Sequence, residues 1–359
     1  MILLLGPEDM NGLLTMKEAV DAMEQGLKDW ADNPELGALR RRVHAPSGAR
    51  VTVHQGAPAS AGVTGLLTHC EQVVIHPDGH QTYSVRGRPV RVIYNANNSE
   101  LLAITIGEVR VKELPEVNNV ATVPTACATA VGVKWLARKD SRRIGILGSR
   151  GQARCQLAAC KAVLPNLAEA KVYSPTPENR TRFAAEMTEL LDMEVRAVAS
   201  AHEAVQKVDI LLSVTNSNVP TFDGSWLEPG VHLCSIVSSN IGLLRGGFVK
   251  QKRREVDDTT LRRADIIVCN SKEQEKLDEP AVLWDPIQQG VIPWDKVWDF
   301  KELLSGKVPG RTSDRQISFF KNNAFWGVGD QVIGALLHRR ALERGIGTQL
   351  PIDGAEYRE

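Results

Sequence analysis

Net charge is the first thing missing from this chain. Lys and Arg total 43, Asp and Glu total 43, and the 359 residues are formally neutral at pH 7. A neutral chain projects no long-range field toward a polyanion, which argues against nucleic acid as the main partner. Among the six cysteines (Cys70, Cys127, Cys155, Cys160, Cys234 and Cys269) there is no CxxC pair and no metal-ligand spacing, so no metal is expected. They read as thiols of a reducing compartment rather than as disulfides. No apolar run approaches the ~20 residues of a membrane span. The stretch from Met1 to Gly6 is also far too short for a signal sequence. Internal repeats and low-complexity tracts are absent too. What is left is 43% hydrophobic and long enough for two domains, the composition of a soluble, cytoplasmic globular protein.

Texture along the chain separates those domains. Met16, Val20, Met23 and Leu27 recur at helical spacing, predicting an amphipathic helix from Thr15 to Trp30. Short β-rich runs follow at Val51–Val53, Gln72–Ile75, Gln81–Val85, Val90–Tyr94 and Leu101–Ile106. Turn compositions at Pro77-Asp78-Gly79 and from Asn95 to Ser99 punctuate them. A helix rich in small residues, Thr125 to Arg138, bridges to a region of strand–helix alternation. Its runs are Arg143–Leu147, Ala153–Leu164, Ala170–Ser174, Pro177–Leu191, Glu194–Val198, His202–Gln206, Ile210–Val214, Val231–Ile236 and Ile266–Cys269. Such alternation indicates a doubly wound parallel sheet. Ile317 to Arg344 reads as helix again. The expected class is therefore α/β: a Rossmann-type domain over 131–317, and a β-rich α+β domain for substrate and dimerisation over 1–130 and 318–359.

The turn Gly148-Ser149-Arg150-Gly151-Gln152-Ala153 stands between a buried strand and a helix. The dinucleotide fingerprint wants Gly at its first and third positions and Gly or Ala at its sixth. Gly148 and Ala153 comply, while Arg150 takes the third place and Gly151 comes one residue late. The strand before the turn and the helix after it raise this weak motif to a candidate pyrophosphate cradle. At the end of the next strand, where NAD sites carry an acid, stand Ser174, Thr176 and Arg180. Two hydroxyls and a guanidinium suit a 2′-phosphate, so NADP(H) is expected in preference to NAD(H).

Over nearly its whole length the chain resembles the ornithine cyclodeaminase and mu-crystallin family. The resemblance rests on Leu14-Thr15-Met16, the Gly148 to Arg154 turn, and Val208-Asp209-Ile210 leading to Thr215-Asn216-Ser217. It continues through Trp226-Leu227-Glu228-Pro229-Gly230-Val231-His232 and Arg254-Glu255-Val256-Asp257. Gly306 to Thr312, with Phe320-Lys321 and Asp330, completes it. The resemblance implies a homodimer formed through the first domain, a substrate cleft between the domains, and hydride exchange between a nicotinamide and a C–N carbon. It also implies cofactor roles for Thr215, Asn216, Val237 and Asn323, and substrate roles for Arg42 and Thr125.

Departures from the family pattern shape the expected chemistry. The family's amino-acid enzymes hold the substrate carboxylate with a lysine in the first domain, yet none occurs between Lys28 and Lys112. The Arg of their Arg-Thr pair falls on Pro124, next to Thr125. No aspartate occurs between Asp223 and Asp257, where the cyclodeaminases need one. In the place of the lysine stands Leu67-Thr68-His69-Cys70-Glu71. There His69 and Glu71 would share one strand face and offer an acid–base pair that prefers a cationic iminium to a carboxylate. Asp330 is a further catalytic candidate. The expected function is NAD(P)H-dependent reduction at a C=N or C–N centre of a small imine or amine. Two alternatives stand beside it: a cyclodeaminase or amino-acid dehydrogenase with relocated carboxylate ligands, and a crystallin-like NADP-binding protein without turnover.

Overall fold

The computed structural model describes residues 1–77, 81–114, 122–239, 241–323 and 327–356. First come β1 (Ile2–Leu5), α1 (Met16–Asp32), β2 (Arg41–His44), β3 (Ala49–Gly56), β4 (Val63–Ile75), β5 (Gln81–Arg86), β6 (Val90–Asn95), β7 (Leu101–Ile106) and α2 (Thr122–Leu136). Next are β8 (Arg143–Leu147), α3 (Gly151–Val163), β9 (Glu169–Tyr173), α4 (Pro177–Leu191), β10 (Glu194–Ala197), α5 (Ala201–Val205), β11 (Ile210–Ser213), β12 (His232–Ser235), α6 (Ile241–Arg245) and α7 (Asp258–Arg263). Last are β13 (Ile266–Cys269), α8 (Lys272–Asp278), α9 (Trp284–Gln288), β14 (Val297–Asp299), α10 (Phe300–Leu304), β15 (Ser318–Lys321), α11 (Gly327–Arg344) and β16 (Thr348–Leu350). Two compact units result: residues 1–74, 82–127 and 325–359 form one, and 75–81 with 128–324 form the other.

In the first unit the strands run in the order β16-β1-β7-β6-β4-β3-β2, with β5 pairing β4. The pairings of β16 with β1, β7 with β6, β6 with β4, β4 with β3 and β3 with β2 are antiparallel and that of β1 with β7 is parallel, the hairpin-linked texture that the short runs predict. The strand β4 is 13 residues long, far beyond the expected Gln72–Ile75. The helix α1 starts where expected because Thr15 and Glu18 form a capping box. Its buried stripe, Met16, Val20, Met23, Leu27 and Trp30, packs against α11. At the start of α11 a Cβ on Gly327 would stand 1.9 Å from the Gln55 carbonyl. Only glycine lets α11 come this close to β3. The turn expected at Pro77-Asp78-Gly79 lies partly outside the described residues.

The second unit is a parallel sheet in the order β10-β9-β8-β11-β12-β15-β13-β14. Its central strands are buried end to end, as in the BBBB patterns of β11, β12 and β13. A sheet covered on both faces produces such continuous apolar runs. Strand order reverses between β8 and β11, which opens a ligand crevice at the carboxyl ends. The run His202–Gln206 keeps the alternation as the short helix α5, capped by Ser200. One expectation needs correction: Ile317 to Arg344 is not all helix, because Ser318–Lys321 inserts as β15 between β12 and β13. Its two polar ends are buried: Ser318 Oγ meets His232 Nδ1 at 2.9 Å, and Lys321 Nζ donates to the Val237 carbonyl at 2.7 Å.

Candidate active site

The dinucleotide turn begins where β8 ends. Gly148 adopts φ +116, and a Cβ there would lie 2.6 Å from the Val214 carbonyl oxygen, so neither backbone nor space admits a side chain. The helix α3 starts at Gly151 with Arg150 as an N-cap that makes no side-chain cap bond. Helix geometry leaves the N–H groups of Gly151, Gln152 and Ala153 without intrahelical acceptors, facing the crevice with the positive end of the helix dipole. Arg154 fixes the turn by donating to the Ser149 carbonyl at 2.8 Å and pairing with Glu186.

The end of the neighbouring strand β9 joins this turn. Ser149 Oγ donates to Ser174 Oγ at 2.9 Å, and Arg180 donates to the Ser174 carbonyl at 2.8 Å while lying over the Tyr173 ring. Thr176 is the exposed N-cap of α4, whose first turn also carries Glu178. The structure therefore gathers Ser174, Thr176 and Arg180 at one corner, with one guanidinium nitrogen already engaged.

The loops after β11 and β12 hold Thr215, Asn216 and Val237. A buried carboxylate that sequence reasoning quoted only as part of a motif ties them together. Glu255 accepts from the backbone N–H of Thr215, from Ser235 Oγ at 2.8 Å and from the N–H of Val237 at 3.0 Å. Burial raises its pKa, against those hydrogen bonds and the Lys321 charge. Asn323 follows β15 and is bound into a polar knot. Its Nδ2 donates to Glu275 Oε1 at 2.6 Å, and its N–H donates to Asn270 Oδ1 at 2.8 Å.

The other candidates occupy the first unit. Register places Arg42 beside Thr52 and Thr52 beside His69, Arg50 beside Glu71, and Leu67 beside Arg91. Paired residues point to the same side of a sheet, so these share one face with His54. Arg50, Thr52, His54, His69, Glu71 and Arg91 are all buried, and Arg42 is half-buried. Thr125 is buried on α2, not on these strands. From α11, Asp330 Oδ2 reaches His54 Nδ1 at 2.8 Å.

The electrostatics reverse the expectation of a cation-seeking pair. Burial alone would raise the Glu71 pKa, yet the adjoining Arg50 charge and hydrogen bond, with Arg86 at 3.3 Å, leave it below the usual value. That carboxylate is thus spent on two arginines. Burial, followed by His54, depresses the His69 pKa to about 3, so at neutral pH its ring is uncharged. His54 was missed from the sequence, although the alternation of Arg50, Thr52 and His54 was the available signal.

The decisive comparison is with families of known sequence. The pattern of the ornithine cyclodeaminase/mu-crystallin family matches residues 4–344. The chain belongs to that family. Within it, the Δ1-pyrroline-2-carboxylate reductase of Bacillus cereus is 27% identical over 229 residues. That match covers 64% of this chain and 66% of the relative, just under two thirds of the relative's length. The reductase of the same name from Paracoccus denitrificans is 26% identical, over 88% of this chain and 89% of its own. Among solved family structures, Thermococcus litoralis Δ1-pyrroline-2-carboxylate reductase in complex with NADH and L-proline superposes with a TM-score of 0.80 at 27% identity. It covers 97% of this chain and all of the other.

Proposed function

We propose that the protein is a nicotinamide-dependent oxidoreductase that reduces the C=N bond of a small, carboxylate-bearing imine. NADP(H) is preferred over NAD(H), and the working form is a homodimer in the cytoplasm. One observation carries the reading. The Gly148 turn sits at the switch point of a doubly wound sheet, in a chain that aligns almost end to end with a reductase bound to NADH and L-proline. The residues at the turn fit a dinucleotide. The N–H groups of 151–153 would hold the pyrophosphate, and Ser174, Thr176 and Arg180 would hold the adenosine 2′-phosphate. Thr215 and Val237 would flank the nicotinamide half. When bound, the nicotinamide supplies a hydride to the imine carbon.

The substrate's carboxylate falls to the arginine-rich sheet face. Among the described residues, Arg42, Arg50, Arg86 and Arg91 outnumber the carboxylates of Glu71, Glu108 and Asp330 around it, and the His69 ring adds no charge. Such a face favours an anion, which supports relocated carboxylate ligands in place of the missing lysine. The aspartate-free stretch between Asp223 and Asp257 argues against a ring-closing deaminase. Purified protein should oxidise NADPH in the presence of Δ1-pyrroline-2-carboxylate, read at the nicotinamide absorbance band, and should form no proline from ornithine. Proline formation from ornithine would overturn the reading. Tight dinucleotide binding with no imine turned over would favour the crystallin-like alternative.

A further inference from the structure

The reading of the protein as an imine reductase requires a proton as well as a hydride, and the sheet face of the first unit offers a source for it. We propose that His54, held by Asp330, delivers the proton to the substrate nitrogen, with Asp330 as its positioning residue.

The geometry is specific. His54 and Asp330 are 4% and 1% exposed, and their contact is a 2.8 Å bond from Nδ1 to Oδ2. A carboxylate on Nδ1 fixes the tautomer and stabilises an imidazolium, so Nε2–H is the proton presented to another partner. The pair depends on α11 reaching β3 at Gly327, the closest backbone approach described above. Next to it on the same face, Thr52 Oγ1 and His69 Nδ1 are buried without a hydrogen-bond partner among the described residues. Native structures rarely leave such atoms unmatched, so polar groups of a ligand are their natural partners. The two groups flagged by the sequence are unsuited to the task. His69 lies edge-on to His54 at 5.9 Å between ring centroids and is neutral at physiological pH, and Glu71 is bound by Arg50 and Arg86. Among the described residues, the charged and titratable groups around His54 are Asp330 on α11, His69 on β4 and Arg91 on β6 with Glu108 beyond it. Arg42 and Arg50 act on the same face through His69.

The step balances simply. A hydride forms the new C–H bond, and the C=N π pair moves onto nitrogen. Nitrogen then takes the proton from Nε2, which leaves a neutral imidazole and a secondary amine. Solvent reprotonates His54 before the next turnover.

Three measurements test the assignment together. His54→Asn should lower kcat with the cyclic imine Δ1-pyrroline-2-carboxylate by ~10²–10⁴-fold, the range for a positioned acid. NADPH affinity should stay within about twofold. The same variant should reduce an N-methyl iminium, which needs no proton, at close to the wild-type rate. Independently of turnover, the hydrogen-bonded Nδ1–H of His54 should give a downfield proton resonance that Asp330→Asn abolishes. Equal losses on the imine and the iminium, or a downfield resonance that survives in Asp330→Asn, would overturn the assignment while leaving the reductase intact. A wild-type protein that reduces neither compound would overturn the underlying reading, and the donor role with it.

Discussion

Replacing Glu255 by Gln should separate the two halves of the dinucleotide site. Glu255 spans the loops after β11 and β12 through the N–H groups of Thr215 and Val237 and the hydroxyl of Ser235. Glutamine keeps one oxygen to accept, but it turns an NH2 toward a backbone N–H or a hydroxyl, so at least one bond becomes a donor–donor contact. A hydrogen bond to a charged group contributes ~1.5–3 kcal/mol, and loosening one loop should cost about that much in binding. That is a ~10–100-fold rise in the Kd for NADPH. In the proposed reading the adenosine half would be held instead at β8 and β9, where Ser149 and Arg180 meet Ser174. Affinity for adenosine 2′,5′-bisphosphate should therefore change by less than about twofold. Nucleotide fluorescence titration measures the first and competition the second. If both ligands weaken equally, Glu255 supports the whole unit rather than the nicotinamide loops. If neither weakens, the loops hold their shape without it. Either result would refute the argument.

Stability should fall with acid. His69 and His232 have folded pKa values of about 3 against an ordinary 6.5, each chiefly through burial. Between those values the unfolded chain binds the proton and the folded one does not, so stability is lost as pH falls from about 6.5 toward 3. The slope is ~1.4 kcal/mol per pH unit for each histidine; urea melts should show it, and His232→Gln should flatten it. NADPH should bind more tightly than NADH in the same fluorescence titration, and Arg180→Ala should narrow the gap; equal affinities would count against the 2′-phosphate corner. Glu71→Gln leaves Arg50 buried without its carboxylate and should cost ~3–5 kcal/mol in chemical denaturation, as broken buried ion pairs do. A variant as stable as wild type would show that the Arg50 pairing is dispensable.

How much of this was legible in the sequence depended on whether the signal was local. The turn from Arg143 to Leu164 could be read because a strand buried on both faces, a forced glycine and a helix start all fall within one window. The helix α4 could be read from Pro177 to Leu191 for the same reason. The strand β15 could not, because Ser-Phe-Phe-Lys has polar ends whose partners, His232 and Val237, lie on other elements. The start of β4 was hidden by Thr64, Gly65 and Thr68, which read as loop until β3 and β6 pair with them. At the site, His69, Glu71 and Asp330 drew notice from residue type and position. Their charges could not be inferred, since Arg50 lies 21 residues from Glu71 and His54 lies 276 from Asp330. Arginine pairing is a tertiary fact, and it turned an apparent acid–base pair into an anion-favouring surface.

The place of β15 in the parallel sheet bears on how the chain is made. Its strand lies between β12 and β13 but is synthesised after both, so the sheet cannot close until residue 321 has emerged. Until then the ribosome displays two part-sheets, β10-β9-β8-β11-β12 and β13-β14, each with an open edge. Open edges of this kind template pairing with other chains. A nascent chain stalled before Ser318 is therefore the species most prone to aggregate and most in need of a chaperone, and every shorter fragment of the parallel sheet shares that liability.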